Sequence, residues 1–138
     1  MKEKVFVYGT LRKGMYNYDL YLKDKDSFRE YGYVRGKLMT LKGKKYPALL
    51  LEGNALVLGE IHEVDSEFID VLDELESYFG ESNPDNEYNK VICDIYDIDG
   101  KVIDQIPVYV YNISNVENAE LLDKVIECSD FLEYKQNN

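Results

Sequence analysis

Hydrophobic and polar positions switch between two periods along the chain, and the switches divide it into elements. Residues 4–8 carry apolar groups on both alternating faces, Val5 and Val7 against Phe6 and Tyr8, and predict a strand covered on both sides. The strand pattern stops at Gly9 and opens into Thr-Leu-Arg-Lys-Gly, residues 10–14. "NYDLYLKD" predicts a short helix over 17–24 with Asn17 as its cap. Residues 28–40 and 48–51 predict strands around a Gly/Lys-rich loop. "ALVLGEIHEV", 55–64, predicts another, in which Gly59 marks a bulge or a close backbone approach. A helix over 66–78 follows Asp65, and "EYNKVICDIYDIDGKVIDQIPVYVY" predicts a hairpin turning near Asp97–Gly100. The acidic "VENAELLDKVIEC", 116–128, predicts a closing amphipathic helix. Strands dominate and helices are few, so the class is α+β with a mixed or largely antiparallel sheet in one domain, 1–138. With neither a Walker-type Gly-Lys-Ser nor a GxGxxG after the first strand, a parallel nucleotide-binding fold is disfavoured.

Composition narrows the function classes. An apolar fraction of 45% in 138 residues suffices for one core and excludes disorder as the default. A formal charge of -11 argues against a nucleic-acid partner, and the short basic stretch "LKGKKYP", 41–47, reads as a solvated loop. No apolar run has the length of a signal peptide core or of a membrane span, so a cytosolic protein with no membrane partner is expected. The two cysteines, Cys93 and Cys128, do not have zinc-motif spacing. Cys93 falls in an apolar strand pattern and reads as a buried reduced thiol.

The helix "SEFIDVLDELESY" carries one anomaly. At about 100° per residue, Phe68, Val71, Leu72 and Leu75 form an apolar arc, with Glu67, Asp70, Asp73 and Glu74 on the wet side. Glu76 instead lies about 80° from Phe68, between Leu72 and Ile69. Two readings follow. Either Glu76 is at the helix end and reaches water, or it points into a partly buried cavity. In a cavity, desolvation would raise its pKa into the range useful for proton transfer.

With these residues in view, a family resemblance emerges. "VFVYGTLRKG", followed by "YPALL", "VLGEIHEV", "LDELESY" and "YNKVICDI", resembles the γ-glutamyl cyclotransferase-like family, in particular its small bacterial and γ-glutamylamine branch. "CSDFLEY" is similar to that family's closing Gly-Asp-Trp-x-x-Tyr segment, with Phe131 in place of the Trp. Ser77 stands where members often have Gly, and the polar insert "FGESNPDNE" precedes Tyr88. The resemblance implies a small β-barrel-like α+β fold. It also implies that Tyr8, Gly9, Thr10 and Leu11 form the substrate loop, Glu76 is the catalytic acid/base and Tyr88 lies near the pocket.

The implied chemistry is closure of a γ-glutamyl amine or peptide on itself, releasing 5-oxoproline and a free amine. No cofactor or metal is required. Backbone N–H groups of Gly9–Leu11 suit the α-carboxylate, and the absent side chain of Gly9 lets that backbone approach. Glu76 would take a proton from the α-ammonium and return one to the departing nitrogen, and Tyr8 would hydrogen-bond substrate or Glu76. Arg12 and Lys13, at a loop tip, read as solvated or steering charges. His62, the only histidine, reads as a surface or satisfied side chain. The alternatives are a non-catalytic γ-glutamyl-binding module and an enzyme acting on a carrier-bound acyl group.

Overall fold

The computed structural model describes residues 1–23 and 26–137. Its framework is one six-stranded sheet, β1 (Lys2–Val7), β2 (Asp26–Leu41), β3 (Ala48–Asp65), β4 (Tyr88–Tyr96), β5 (Val102–Tyr111) and β6 (Leu122–Val125), in the order β3-β1-β5-β4-β2-β6. β2 also pairs with β3, so five strands form a ring and β6 remains at its edge. The ring closes unevenly. β2 and β3 run together over a long antiparallel ladder, while β1–β5 and β2–β4 each meet at one register pair, Phe6↔Val108 and Tyr33↔Tyr96. The expected α+β class with a mixed, barrel-like sheet is what the chain adopts.

Strand patterning accounts for much of this. The β4–β5 hairpin turns where expected, with register Tyr88↔Tyr111 through Tyr96↔Val102. The two strands read at 48–51 and 55–64 are a single strand. Its partner register jumps from Gly36↔Ala55 to Lys37↔Leu50, which leaves the exposed residues 51–54 looped out. Gly59 is a close-approach site: a Cβ there would lie 2.3 Å from the Phe6 ring and 2.7 Å from the Val7 carbonyl oxygen. Phe6, Val34, Leu38, Leu49, Val57, Ile61, Ile95 and Val108 fill one core cluster. A second, around Val5, Val7, Leu22 and Tyr111, receives helix α1 (Ile69–Leu75) through the fully buried Leu72.

Three expectations need correction. The segment at 17–24 forms only a π-helical turn, Tyr18–Leu22, and Asn17 makes no side-chain cap. Its carboxamide donates to Thr10 Oγ1 at 2.8 Å instead, and Asp24 lies outside the described residues. The helix at 66–78 is a 3₁₀ turn, Ser66–Phe68, followed by the seven-residue α1. Within its predicted faces, Val71 is exposed and Asp73 is half-buried. The closing helix over 116–128 is instead α2 (Val116–Glu120), then β6, then α3 (Phe131–Gln136). Residues 122–125 carry a helical period, but the open edge of β2 offers Met39 and Leu41 as strand partners, and that pairing prevails.

Candidate active site

The end of β1, the loop after it, the end of α1 and the start of β4 meet around a cleft of about 200 Å³. Tyr8, Gly9, Thr10, Leu11, Glu76 and Tyr88 all line it, so the residues carried over from the sequence share one space. Gly9 is there because nothing larger fits: a Cβ would lie 2.9 Å from Pro47 Cδ. The loop is pinned from outside the cleft. Arg12 N donates to Gly9 O at 3.1 Å and Tyr18 N to Thr10 O at 3.2 Å. No acceptor among the described residues takes the backbone N–H of Gly9, Thr10 or Leu11.

Glu76 reaches the cleft through the way α1 ends. It occupies the C-cap position (φ −86°, ψ 6°), and Ser77 follows at φ 50° in the left-handed region. Ser77 N donates to Glu74 O at 3.1 Å and Tyr78 N to Asp73 O at 2.9 Å, the paired bonds of a Schellman turn. A residue that usually follows as Gly in the resembling family is thus a strained Ser here. Glu76 does lie at the helix end, and there it faces the cleft rather than the open surface. The residue as a whole is half-buried, while burial of the carboxyl, reinforced by the nearby Glu87 charge, raises its pKa from 4.5 to about 8.

Tyrosines make the walls. Tyr8 donates to Tyr109 O at 2.6 Å, and Tyr88 donates to Pro47 O at 2.6 Å. Both hydroxyl protons are therefore committed to carbonyls, and each phenol pKa is raised well above ordinary, by burial first and by neighbouring charge including Glu76. Tyr109, also in the lining, donates to Asp73 Oδ1 at 2.6 Å, an oxygen that also holds Lys90 Nζ at 2.9 Å.

Three lining or supporting residues escape the sequence reading. Glu87 is a second carboxylate in the cleft, and Tyr46 donates to its Oε2 at 2.5 Å. Asn86, fully buried, organises the polar insert before it. Its Oδ1 accepts from Phe79 N at 2.6 Å, and its Nδ2 donates to Gly80 O and Asn89 Oδ1. The available signals were slight: a Tyr-Pro step inside a lysine-rich loop, and an Asn-Glu pair immediately before a strand.

Arg12 is not a solvated loop charge. It is only 3% exposed, with Nε donating to Glu60 Oε2 at 3.0 Å and an Nη to Asp130 Oδ1 at 2.8 Å. Glu60 Oε1 also accepts from Lys13 N at 3.0 Å and lies 2.9 Å from His62 Nε2. Burial pushes the Glu60 carboxyl upward, but hydrogen bonds from His62, the Lys13 amide and Arg12 outweigh it and hold the pKa below 4.5. Lys13 itself is exposed, and His62 is fully buried and partnered, the satisfied half of its expectation. Cys93 is buried and Cys128 exposed, both as free thiols.

With this geometry established, known proteins supply a context. The family model described as gamma-glutamyl cyclotransferase, AIG2-like, matches residues 5–133. A Niallia circulans protein named gamma-L-glutamyl-butirosin B gamma-glutamyl cyclotransferase is 39% identical over 108 residues, 78% of this chain. The match spans 66% of that relative, just under two thirds of its length. Among solved structures, YkqA from Bacillus subtilis superposes with a TM-score of 0.68 at 25% identity, over 98% of this chain and 41% of its own. An AIG2-like protein from Mus musculus gives 0.64 at 25% identity, over 89% and 85%.

Proposed function

The chain belongs to the γ-glutamyl cyclotransferase, AIG2-like family, and from that premise we propose that it converts a γ-glutamyl amine into 5-oxoproline and a free amine, with Glu76 moving the protons. One observation carries the reading: a carboxylate with a pKa raised to about 8 opposite a loop of unengaged backbone amides in one cleft. The amides of Gly9–Leu11 hold the α-carboxylate of the substrate. That leaves the α-ammonium to face Glu76. With its pKa raised to about 8, Glu76 is a stronger base towards that ammonium than an ordinary carboxylate.

The ionised form of Glu76 takes one proton from the α-ammonium. The freed amine attacks the γ-carbonyl carbon and forms the ring C–N bond. Collapse of the tetrahedral intermediate breaks the original C–N bond, Glu76 returns its proton to the departing nitrogen, and the second proton shed by the ring nitrogen follows it, so the amine leaves as its ammonium ion. Because the reaction is intramolecular, holding the substrate folded supplies much of the acceleration. Tyr8 and Tyr88 shape the walls, their hydroxyl protons being engaged with backbone carbonyls.

The test is 5-oxoproline release from a panel of γ-glutamyl amines, with Glu76→Gln beside the native protein. General acid–base catalysis contributes typically ~10²–10⁴ in rate, and the variant should lose at least that much while still binding ligand. Glu74→Gln, on the exposed side of α1, should match the native rate. Full turnover by Glu76→Gln would remove Glu76 from the mechanism. Ligand binding by the native protein without product would favour the binding module.

A further inference from the structure

The charge inventory of the cleft is unbalanced against a bare γ-glutamyl group. On the reading above, which this inference rests on, the α-carboxylate meets the loop amides and the α-ammonium meets Glu76. Glu87 then has no cationic counterpart among the described residues. It is half-buried, its Oε2 is fixed by Tyr46, and its Oε1 takes no hydrogen bond from any described residue. Its backbone is clamped as firmly as its side chain. Glu87 N donates to Ser77 O at 3.0 Å, tying it to the turn that ends α1, and Glu87 O accepts from Asn112 N at 2.9 Å. The insert thus delivers one rigid carboxylate oxygen beside the place where Glu76 would work. Among the described residues, no Lys or Arg is in the lining. Lys44 and Lys45, just before Tyr46, are exposed outside it.

We infer that Glu87 selects the leaving group, favouring γ-glutamyl amines whose departing amine carries a further cationic group and disfavouring those whose departing amine carries a carboxylate. A second ammonium reaching Oε1 would make a charge-assisted hydrogen bond to an acceptor already oriented by Tyr46. A leaving group with its own carboxylate would bring a further negative charge beside Glu87, where no described residue supplies a cation. The chemistry is that of a diamine or polyamine conjugate, as opposed to a γ-glutamyl-α-amino acid.

The experiment compares three γ-glutamyl conjugates of similar length: of 1,4-diaminobutane through one nitrogen, of n-pentylamine, and of 4-aminobutanoate. Calorimetry uses Glu76→Gln, so that binding is read without turnover, and 5-oxoproline release uses the native protein. The diamine conjugate should bind about 10–100-fold more tightly than the pentylamine conjugate, with the aminobutanoate conjugate weakest. Adding Glu87→Gln should collapse the cation preference to within a few-fold. Asp85→Asn, an exposed change on the same segment, should leave the ratio as it was. Equal binding of the diamine and pentylamine conjugates would overturn the inference. So would a preference that survives Glu87→Gln. Neither result touches the proposed reaction, which stands or falls on 5-oxoproline release by the native protein.

Discussion

At the scale of the residue, Glu76 ties stability to pH through one proton, and the proposed mechanism uses that same proton. In the unfolded chain it ionises near 4.5, and in the folded protein near 8. Between those values the folded state holds a proton that the unfolded state has lost, so each rise in pH favours unfolding. The contribution is fully present below 4.5 and is lost as pH rises through about 8. The groups facing it sharpen the effect: Glu87 before β4, and Tyr8, Tyr46, Tyr88 and Tyr109, whose own pKa values its charge helps to raise. Glu76→Gln keeps the side chain's size and has no charge to desolvate. Urea denaturation at pH 5 and pH 9 should show the native protein losing about 4 kcal/mol more than this variant does. Parallel pH profiles would mean that Glu76 is solvated. For the enzyme the sign is opposite, because the base form rises with pH: kcat/KM should climb with an apparent pKa near 8.

At the scale of the element, the end of α1 is a small machine for aiming Glu76. Seven helical residues are too few to be stable by themselves, and the Schellman bonds and buried Leu72 tie the segment down. Ser77 at φ 50° is the strained link. A left-handed conformation costs a non-glycine residue about 1–2 kcal/mol, and glycine's extra freedom in the unfolded chain returns part of that. Ser77→Gly should therefore raise stability by roughly 0.5–1 kcal/mol, read as a higher urea midpoint, with kcat retained because the turn geometry is unchanged. A loss of stability would show that the Ser side chain contributes something its backbone angle conceals. The helical wheel placed Glu76 correctly against the apolar arc even though the helix is shorter than its pattern. Leu72, one turn earlier, sets that face, and the Schellman turn continues it inward. The same reasoning over-extended the C-terminal segment, because a helical period cannot register a vacant strand edge some 80 residues upstream.

At the scale of the whole molecule, the buried ion pairs of Arg12 join three distant parts of the chain. The guanidinium holds the loop after β1 to Glu60 on β3, and to Asp130, which also accepts from Glu133 N at 3.2 Å to cap α3. Removing one partner of a buried pair typically costs about 3–5 kcal/mol, because the remaining charge stays buried. Arg12→Met should lower unfolding free energy by about that amount. Ligand affinity should fall with it, since the Gly9–Leu11 amides lose their anchor, and Arg12→Lys should recover only part of either. Native-like stability of Arg12→Met in urea would show that Glu60 is adequately served by His62 and the Lys13 amide.

Local pattern alone determined the first strand, the β4–β5 hairpin, the break at Gly9 and the acid set within the apolar arc at 76, because each is written in neighbours within a few residues; at Gly59 it left a bulge and a close approach open, and the Phe6 ring decided. Tertiary structure alone decided that Arg12 is buried, that 122–125 extend a sheet, and that Glu87 and Tyr46 share a cleft with Glu76. Those facts rest on contacts between residues 41, 48 and 118 positions apart, and on strand partners some 80 positions apart. A contact over such a separation leaves no period in the sequence. It exists only once the ring of strands has brought its two ends together, and the energy of burying a charge depends on what then surrounds it.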